Sequence, residues 1–441
     1  MHFFIISSFK ILYLLNNHKY KTMLIDFSVE NYRSIKEMQT FSMSAANIIS
    51  KYKALDSDNV MQHSPKVSVL KSKAIYGANA SGESNLIRAL SAFISIVTTS
   101  VKDEQVLGAR IERFELSTET DDKPSYFQIS FLLNNTYYRY GFEATNKEIK
   151  SEWLFGSPGK KEVLFFTREG AAISINENQF KEGSEIAHLY SQPGNDIARN
   201  NALFITAVKS FFSSGIAREI VEYFSSFIVI SGLSDFQLYV NAEDSVGDEE
   251  RRIKIAKLLK VADIGIDDIN RVEYQSNKDS NQINRKFTIT TKHKKFNNDL
   301  EEVGFKTFYM LLDESEGSKK MCEVSPLILD ALNQNRVLVM DEFDARFHPL
   351  LTRKIVELFN SYTNKGSQFI FVTYDTNLLN AKLLRRDQVC FVEKDKYGAS
   401  HFYSLVDFKG VRNDASFEKD YVSGKYGAIP FLGDFNSIIE G

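Results

Sequence analysis

The chain has 441 residues, 43% hydrophobic and 25% charged; these globular values exclude wholesale disorder and allow two or three domains at roughly 100–200 residues each, or one large split core. Lys and Arg number 54 against 57 Asp and Glu, a net charge of −3, which excludes a uniformly basic nucleic-acid binder and leaves only a local basic patch. Two distant cysteines, Cys322 and Cys390, exclude a disulfide scaffold and a four-cysteine zinc site, and fit a reducing cytoplasm.

Met1 to Leu15 is apolar, but Lys10 interrupts it and it is shorter than the about 20 residues of a membrane span. It lacks the basic start and the small-residue cleavage site of a signal peptide. Translation is therefore expected to begin at Met23, with 1–22 a non-native or disordered extension and no membrane partner. Residues 23–48 read as two short strands broken at Asn31-Tyr32-Arg33-Ser34, and Val69 to Tyr76 as one more. A helical period begins at Asn85, with Leu86, Ile87, Leu90, Phe93 and Ile94 on one face. Tyr126 to Leu133 and Thr136 to Phe142 alternate around Asn134-Asn135, a hairpin signal. Residues 186–265 are mostly helical in period. Lys286 to Thr291 returns to strand, and the charges of Lys292-His293-Lys294-Lys295 read as a solvated turn. From 318 onward helices at about 319–333 and 349–362 alternate with strands at Arg336–Met340, Gln368–Thr373 and Val389–Val392. That alternation predicts a parallel sheet covered on both faces.

Two segments carry chemistry. Gly77-Ala78-Asn79-Ala80-Ser81-Gly82-Glu83-Ser84 has the spacing G-x-x-x-x-G-x-S between a strand and a helix, the setting of a phosphate-binding loop. Its glycines permit tight turns, its N–H groups and helix N-terminus favour an anion, and the Ser84 hydroxyl suits Mg²⁺. The residue that normally bridges the β- and γ-phosphates is Lys; here it is Glu83. Exchanging attraction for repulsion at 4 Å is worth about 8 kcal/mol at an effective dielectric near 20. Rotation of Glu83 into solvent is expected to relieve much of it. The second segment is Val337-Leu338-Val339-Met340-Asp341-Glu342, an apolar strand ending in two carboxylates. At the carboxyl end of a parallel strand Asp341 is placed to hold Mg²⁺ and Glu342 to act as general base on water.

The second segment continues Phe343-Asp344-Ala345-Arg346-Phe347-His348-Pro349, a DExDxxxHP pattern that resembles the acidic strand and following D-loop of ABC-type ATPases related to RecF, SMC and OLD. Glu314-Ser315-Glu316-Gly317-Ser318-Lys319 resembles that group's signature motif, and Val29-Glu30-Asn31-Tyr32-Arg33-Ser34-Ile35 its opening strand–turn. Phe369 to Asp375 resembles the switch strand, with Tyr374 where His is usual, and Tyr421 to Pro430 the tail of RloA/AbiLi-like phage-defence ATPases.

The resemblance implies an α/β P-loop NTPase of the ABC head type: mixed N-terminal strands plus a parallel sheet with flanking helices. It implies an N-terminal lobe over 23–150, a mainly helical insertion or lid over 151–300, and a C-terminal lobe over 301–441. It implies ATP and Mg²⁺ as ligands, with Ser84 and Asp341 on the metal and Glu342 and Tyr374 at the γ-phosphate. Residues 77–84, with Asn85 and Arg33, would bind nucleotide. Ser315, Glu316 and Gly317 would act in trans, with Asp344 and His348 in the D-loop. A homodimer or larger assembly is implied, gating a separate effector such as a Toprim-type nuclease, for which little chain remains after Asp375. Two alternatives stay open: a binding-only, degenerate site because of Glu83, and a RecF-like DNA-repair ATPase with DNA as partner.

Overall fold

The structure is a computed structural model that describes residues 22–65, 67–159, 161–190, 199–233, 236–262, 264–273, 287–411, 415–430 and 433. The expected extension lies outside these residues except for Thr22, which opens the first strand.

The chain starts with β1 (Thr22–Glu30), β2 (Gln39–Ser42) and the short helix α1 (Ala54–Asp58). A hairpin of β3 (Val60–Ser64) and β4 (Val67–Leu70) leads to β5 (Ser72–Gly77) and the helix α2 (Glu83–Thr99). After α3 (Val106–Arg110) come β6 (Ser125–Leu133), β7 (Thr136–Ala144), β8 (Ile149–Ser157), β9 (Val163–Glu169) and β10 (Ala172–Ile175). Helices α4 (Lys181–Tyr190), α5 (Phe204–Phe211) and α6 (Ile216–Ser225) precede β11 (Ile228–Ser231). Helices α7 (Phe236–Val246) and α8 (Glu249–Val261) precede β12 (Asp268–Glu273), β13 (Phe287–Phe296) and β14 (Glu302–Tyr309). The last part runs α9 (Met310–Asp313), α10 (Glu316–Gln334), β15 (Val337–Asp341), α11 (Pro349–Asn360), β16 (Gln368–Val372), β17 (Val389–Lys394), β18 (Ser400–Ser404) and α12 (Phe417–Val422).

Two large sheets result. One is antiparallel, in the order β10-β9-β8-β7-β6-β1-β2. The other has the order β11-β15-β16-β5-β17-β18, parallel throughout except for β18. Every residue of β5 and β16 is buried, as a central parallel strand requires. Strand alternation sends Ile75, Val339 and Ile370 into one core with Leu86, Leu90 and Phe93 of α2 and Phe127 and Phe142 of the antiparallel sheet. It sends Tyr76, Met340 and Phe371 into a second core with Met321 and Ile328 of α10 and Phe359 of α11. Phe93 stacks on Phe142 at 5.5 Å, so α2 is shared by both sheets. Gln368 stitches the sheets together: its Oε1 accepts the Leu24 N–H at 2.7 Å and its Nε2 donates to the Leu24 carbonyl at 2.9 Å. That stitch falls where the β1–β6 register shifts.

The structure departs from the sequence reading in four places. The expected strand 69–76 is two strands, β4 and β5, broken at Lys71, whose N–H binds the Asn59 carbonyl at 2.9 Å. The described residues of 151–300 are not mainly helical. They contain β8 to β10, which extend the antiparallel sheet past 150 to Ile175, and also β11, β12 and β13. The apolar run of β11 is too short for periodicity to separate strand from helix, and pairing with β15 decides it. Lys292 to Lys295 is part of β13 rather than a turn, because β14 pairs along all four residues and β12 pairs with Lys292. The signature helix begins at Glu316, three residues before the expected start.

Candidate phosphate-loop site

Parallel strands deliver their carboxyl ends to one edge. Here β5, β16 and β15 are consecutive neighbours, so the loops after Gly77, Val372 and Asp341 open on the same edge. The loop from Ala78 to Gly82 enters α2 through Gly82, whose φ of 114° lies in the left-handed region. A Cβ on Gly77 would run into Ser81 Oγ and the Glu83 carboxylate, and a Cβ on Gly82 into the hydroxyls of Ser400 and Ser34. Those two hydroxyls clamp the loop from outside. Ser400 Oγ donates to the Ser81 carbonyl and accepts from the Ser34 hydroxyl at 2.8 Å, and Asn85 Nδ2 donates to Ser34 Oγ at 2.7 Å. Ser400 carries no sequence signal, since it meets Ser81 across 319 residues.

Glu83 does not rotate into solvent, which corrects the expectation. It is 3% exposed and folds back over the loop, where Oε2 accepts the Gly82 N–H at 3.1 Å and Oε1 has no hydrogen-bond partner. Burial raises its pKa; its loop hydrogen bonds lower it in part, and Asp341 raises it further. Ser84 and Asn85 follow, half-buried, in the first turn of α2. Ala78 is half-buried, while Asn79 and Ala80 are exposed at the tip.

Asp341 closes β15, and its Oδ1 accepts the Glu342 N–H at 3.1 Å. Glu342 has a φ of 51°, unusual for a residue with a side chain and a local strain at the acidic pair. Gly232, just past β11, donates its N–H to the Asp341 carbonyl at 2.5 Å; a Cβ there would run into the Glu342 carbonyl. Phe343 is fully buried among Phe347, Phe369 and Phe371, and its N–H binds the Val372 carbonyl at 2.9 Å. Asp344 Oδ1 accepts the Tyr374 N–H at 3.2 Å. Burial, followed by the carboxylates of Glu83, Asp341, Glu342 and Asp344, pushes the Tyr374 phenol up to about 12. Tyr374 is thus close enough to feel all four, and near neutral pH it stays a donor.

Arg33 has a φ of 50° and pairs with Glu112 at 2.5 Å. With Ser34 and Asn85 it lines an open groove of about 840 Å³ beside the phosphate loop. Ser315 is the N-cap of α10, accepting the Ser318 N–H at 3.1 Å. Glu316 is exposed and pairs with Lys319 at 2.9 Å and Arg346 at 2.6 Å; a Cβ on Gly317 would meet the Arg346 carbonyl at 3.0 Å. The signature turn therefore rests on the loop after the acidic strand of its own chain. His348 is exposed and caps α11, its Nδ1 accepting the Leu350 N–H at 3.2 Å.

Sequence reasoning missed Lys320. Its amine is buried, donates to the carbonyls of Phe343 (3.0 Å) and Ala345, and lies 4.3 Å over the Phe347 ring. Burial lowers its pKa to about 8. The spacing Lys320, Val324, Ile328 places it on the buried stripe of α10, a signal that was legible.

The oxygen donors of Ser84 and Asp341 suit a hard cation such as Mg²⁺. Among the described residues no group of three or more His, Cys, Asp or Glu side chains could hold a metal alone, so phosphate oxygens would complete the shell. The glycine cradle fits a phosphate group; Glu83 inside it opposes one.

No helix among the described residues is long and apolar enough to cross a membrane. Among solved structures the chain is similar to an SMC head bound to the C-winged helix domain of ScpA, at 14% identity and TM-score 0.42, over 87% of this chain and 98% of that one. It is also similar to the SMC head domain from Thermotoga maritima, at 12% identity and TM-score 0.41, over 87% and 98%. For the SMC head with coiled coil and joint derived from Pyrococcus yayanosii the identity is 10% and the TM-score 0.44, over 92% and 100%. No curated protein matches the chain. A family model matches residues 74–380, from β5 past the switch strand, and so spans more than half of the chain. The chain accordingly belongs to the AAA_21 family, described as AAA domain, putative AbiEii toxin, Type IV TA system.

Proposed function

We propose that the chain binds and hydrolyses ATP with Mg²⁺ as the ATPase subunit of a bacterial anti-phage or abortive-infection system. The observation that carries this is the convergence of the Gly77–Ser84 loop, Asp341-Glu342 and Tyr374 on one edge of a parallel sheet. Ser84 and Asp341 would hold Mg²⁺, which when bound supplies positive charge to the phosphate oxygens. The loop amides and the α2 N-terminus orient the phosphates, and Arg33 and Asn85 border the groove beside them. Glu342 takes the proton of a water whose oxygen attacks the γ-phosphorus, and ADP leaves with the electrons of the broken P–O bond. The Tyr374 hydroxyl donates to the developing charge. Ser315, Gly317 and the α10 N-terminus of a second copy close the site, with Asp344 and His348 shaping the loop between them. Closure and opening of the dimer then gate a separate effector. The toxin in the family's description is in keeping with this role.

A binding-only reading is favoured by one observation, the buried Glu83 carboxylate in the loop. Phosphate release at saturating ATP and Mg²⁺ tests both. Glu342→Gln is expected to lower the rate on the order of 10²-fold. Unchanged turnover in that variant sinks the assignment. ATP binding without release in the wild type favours the binding-only form.

A further inference from the structure

The loop that should receive phosphate already holds an anion. The Glu83 carboxylate lies inside the turn from Gly77 to Gly82, close enough that a Cβ on Gly77 would collide with it. It takes the Gly82 N–H at 3.1 Å, one of the amides that a phosphate would use. Two buried oxygens there lack hydrogen-bond partners, Glu83 Oε1 and Ser81 Oγ, in residues that are 3% and 4% exposed. A buried polar atom without a partner is costly, so its persistence asks for an explanation. Both lie beside Gly77, where a Cβ would run into each of them.

Resting on the nucleotide-binding reading above, we propose that Glu83 is a specificity-determining residue: its carboxylate occupies the phosphate cradle as an internal anion, and a nucleotide binds only by displacing it. The loop then has two states, carboxylate in or carboxylate out, and only the second accepts phosphate. The apparent affinity falls by the fraction of molecules in the open state. The penalty is specific to phosphate: it grows with the negative charge that the ligand brings to the cradle, and Mg²⁺ on the ligand reduces it. Glu83 thereby selects the metal-bound nucleotide over the free one.

Calorimetric titration of the full chain with AMP, ADP and ATP, in Mg²⁺ and in EDTA, tests this. Glu83→Gln keeps the shape and removes the charge; Glu83→Ala empties the cradle. Both are expected to bind ATP at least tenfold tighter than wild type. The gain should rise from AMP to ATP, and should be larger in EDTA than in Mg²⁺. Equal gains for the three nucleotides, or affinities at or below wild type in both variants, overturn the inference while leaving nucleotide binding standing. Absence of ATP binding in wild type and in both folded variants, as judged by their thermal melts, overturns the inference and the nucleotide-binding reading together.

Discussion

At the scale of single residues, buried amines make a prediction that surface charges cannot. Burial lowers the pKa of Lys71 and of Lys320 to about 8 from 10.5. Between those values the unfolded chain holds a proton that the folded chain has lost, so stability rises with pH across that window. Below about 8 both states are protonated and the folded state carries the full penalty of burying the charge. Buried phenols reverse the trend at the upper end, because Tyr140 and Tyr223 stay protonated in the fold above the usual value of 10. Urea denaturation should therefore show stability climbing from pH 8 to about 10, then declining. Lys71→Met should flatten the rise; an unchanged pH profile in that variant would show that Lys71 is not buried as a charge. Lys320 lies beside the site: it ties the signature helix to the carbonyls after the acidic pair. A change at Lys320 is expected to move turnover as well as stability.

Elements meet through a few buried polar groups, and these set how the lobes are joined. Gln368 sits at the start of β16 yet binds the backbone of β1 across 344 residues, with both ends of its amide used. Gln368→Leu strands the N–H and C=O of Leu24. The expected loss is about 1–3 kcal/mol in urea, with little effect on nucleotide affinity. A variant as stable as wild type would mean that water or a shifted β1 satisfies Leu24. The same scale explains which elements were legible. Strands β15 and β16 announce themselves as apolar runs, and α2, α10 and α11 as apolar stripes, because burial alone fixes their patterns. Strands β8 to β10 and β11 did not, since their pairing depends on neighbours distant in sequence. Lys292 to Lys295 is charged in a strand because β13 lies in a small sheet that leaves Lys294 and Lys295 exposed.

On the scale of the whole molecule, the signature turn sits against the acidic loop of its own chain, with Ser315 and Glu316 both exposed. If a second copy completes the site, ATP and Mg²⁺ should convert Glu342→Gln, which hydrolyses slowly, from one copy to two in light scattering. Adding Ser315→Arg should abolish that conversion with the fold intact. A double variant that still pairs would remove the in-trans role of Ser315.

The sequence by itself determined the α/β class, the glycine-bounded loop between strand and helix, the acidic pair at a strand end and the place of Glu83 between them, since each is contiguous and its chemistry is local. It did not determine where Glu83 points. Rotation into water was the cheaper expectation, yet the hydroxyls of Ser34 and Ser400 lock the loop from outside and the Glu83 carboxylate lies buried against Gly77 and Gly82. Nor did it determine the backbone of Glu342, bent against Gly232, or the lysine under the acidic loop. Those are decided by contacts between residues tens to hundreds of positions apart, which only a packed tertiary structure brings together.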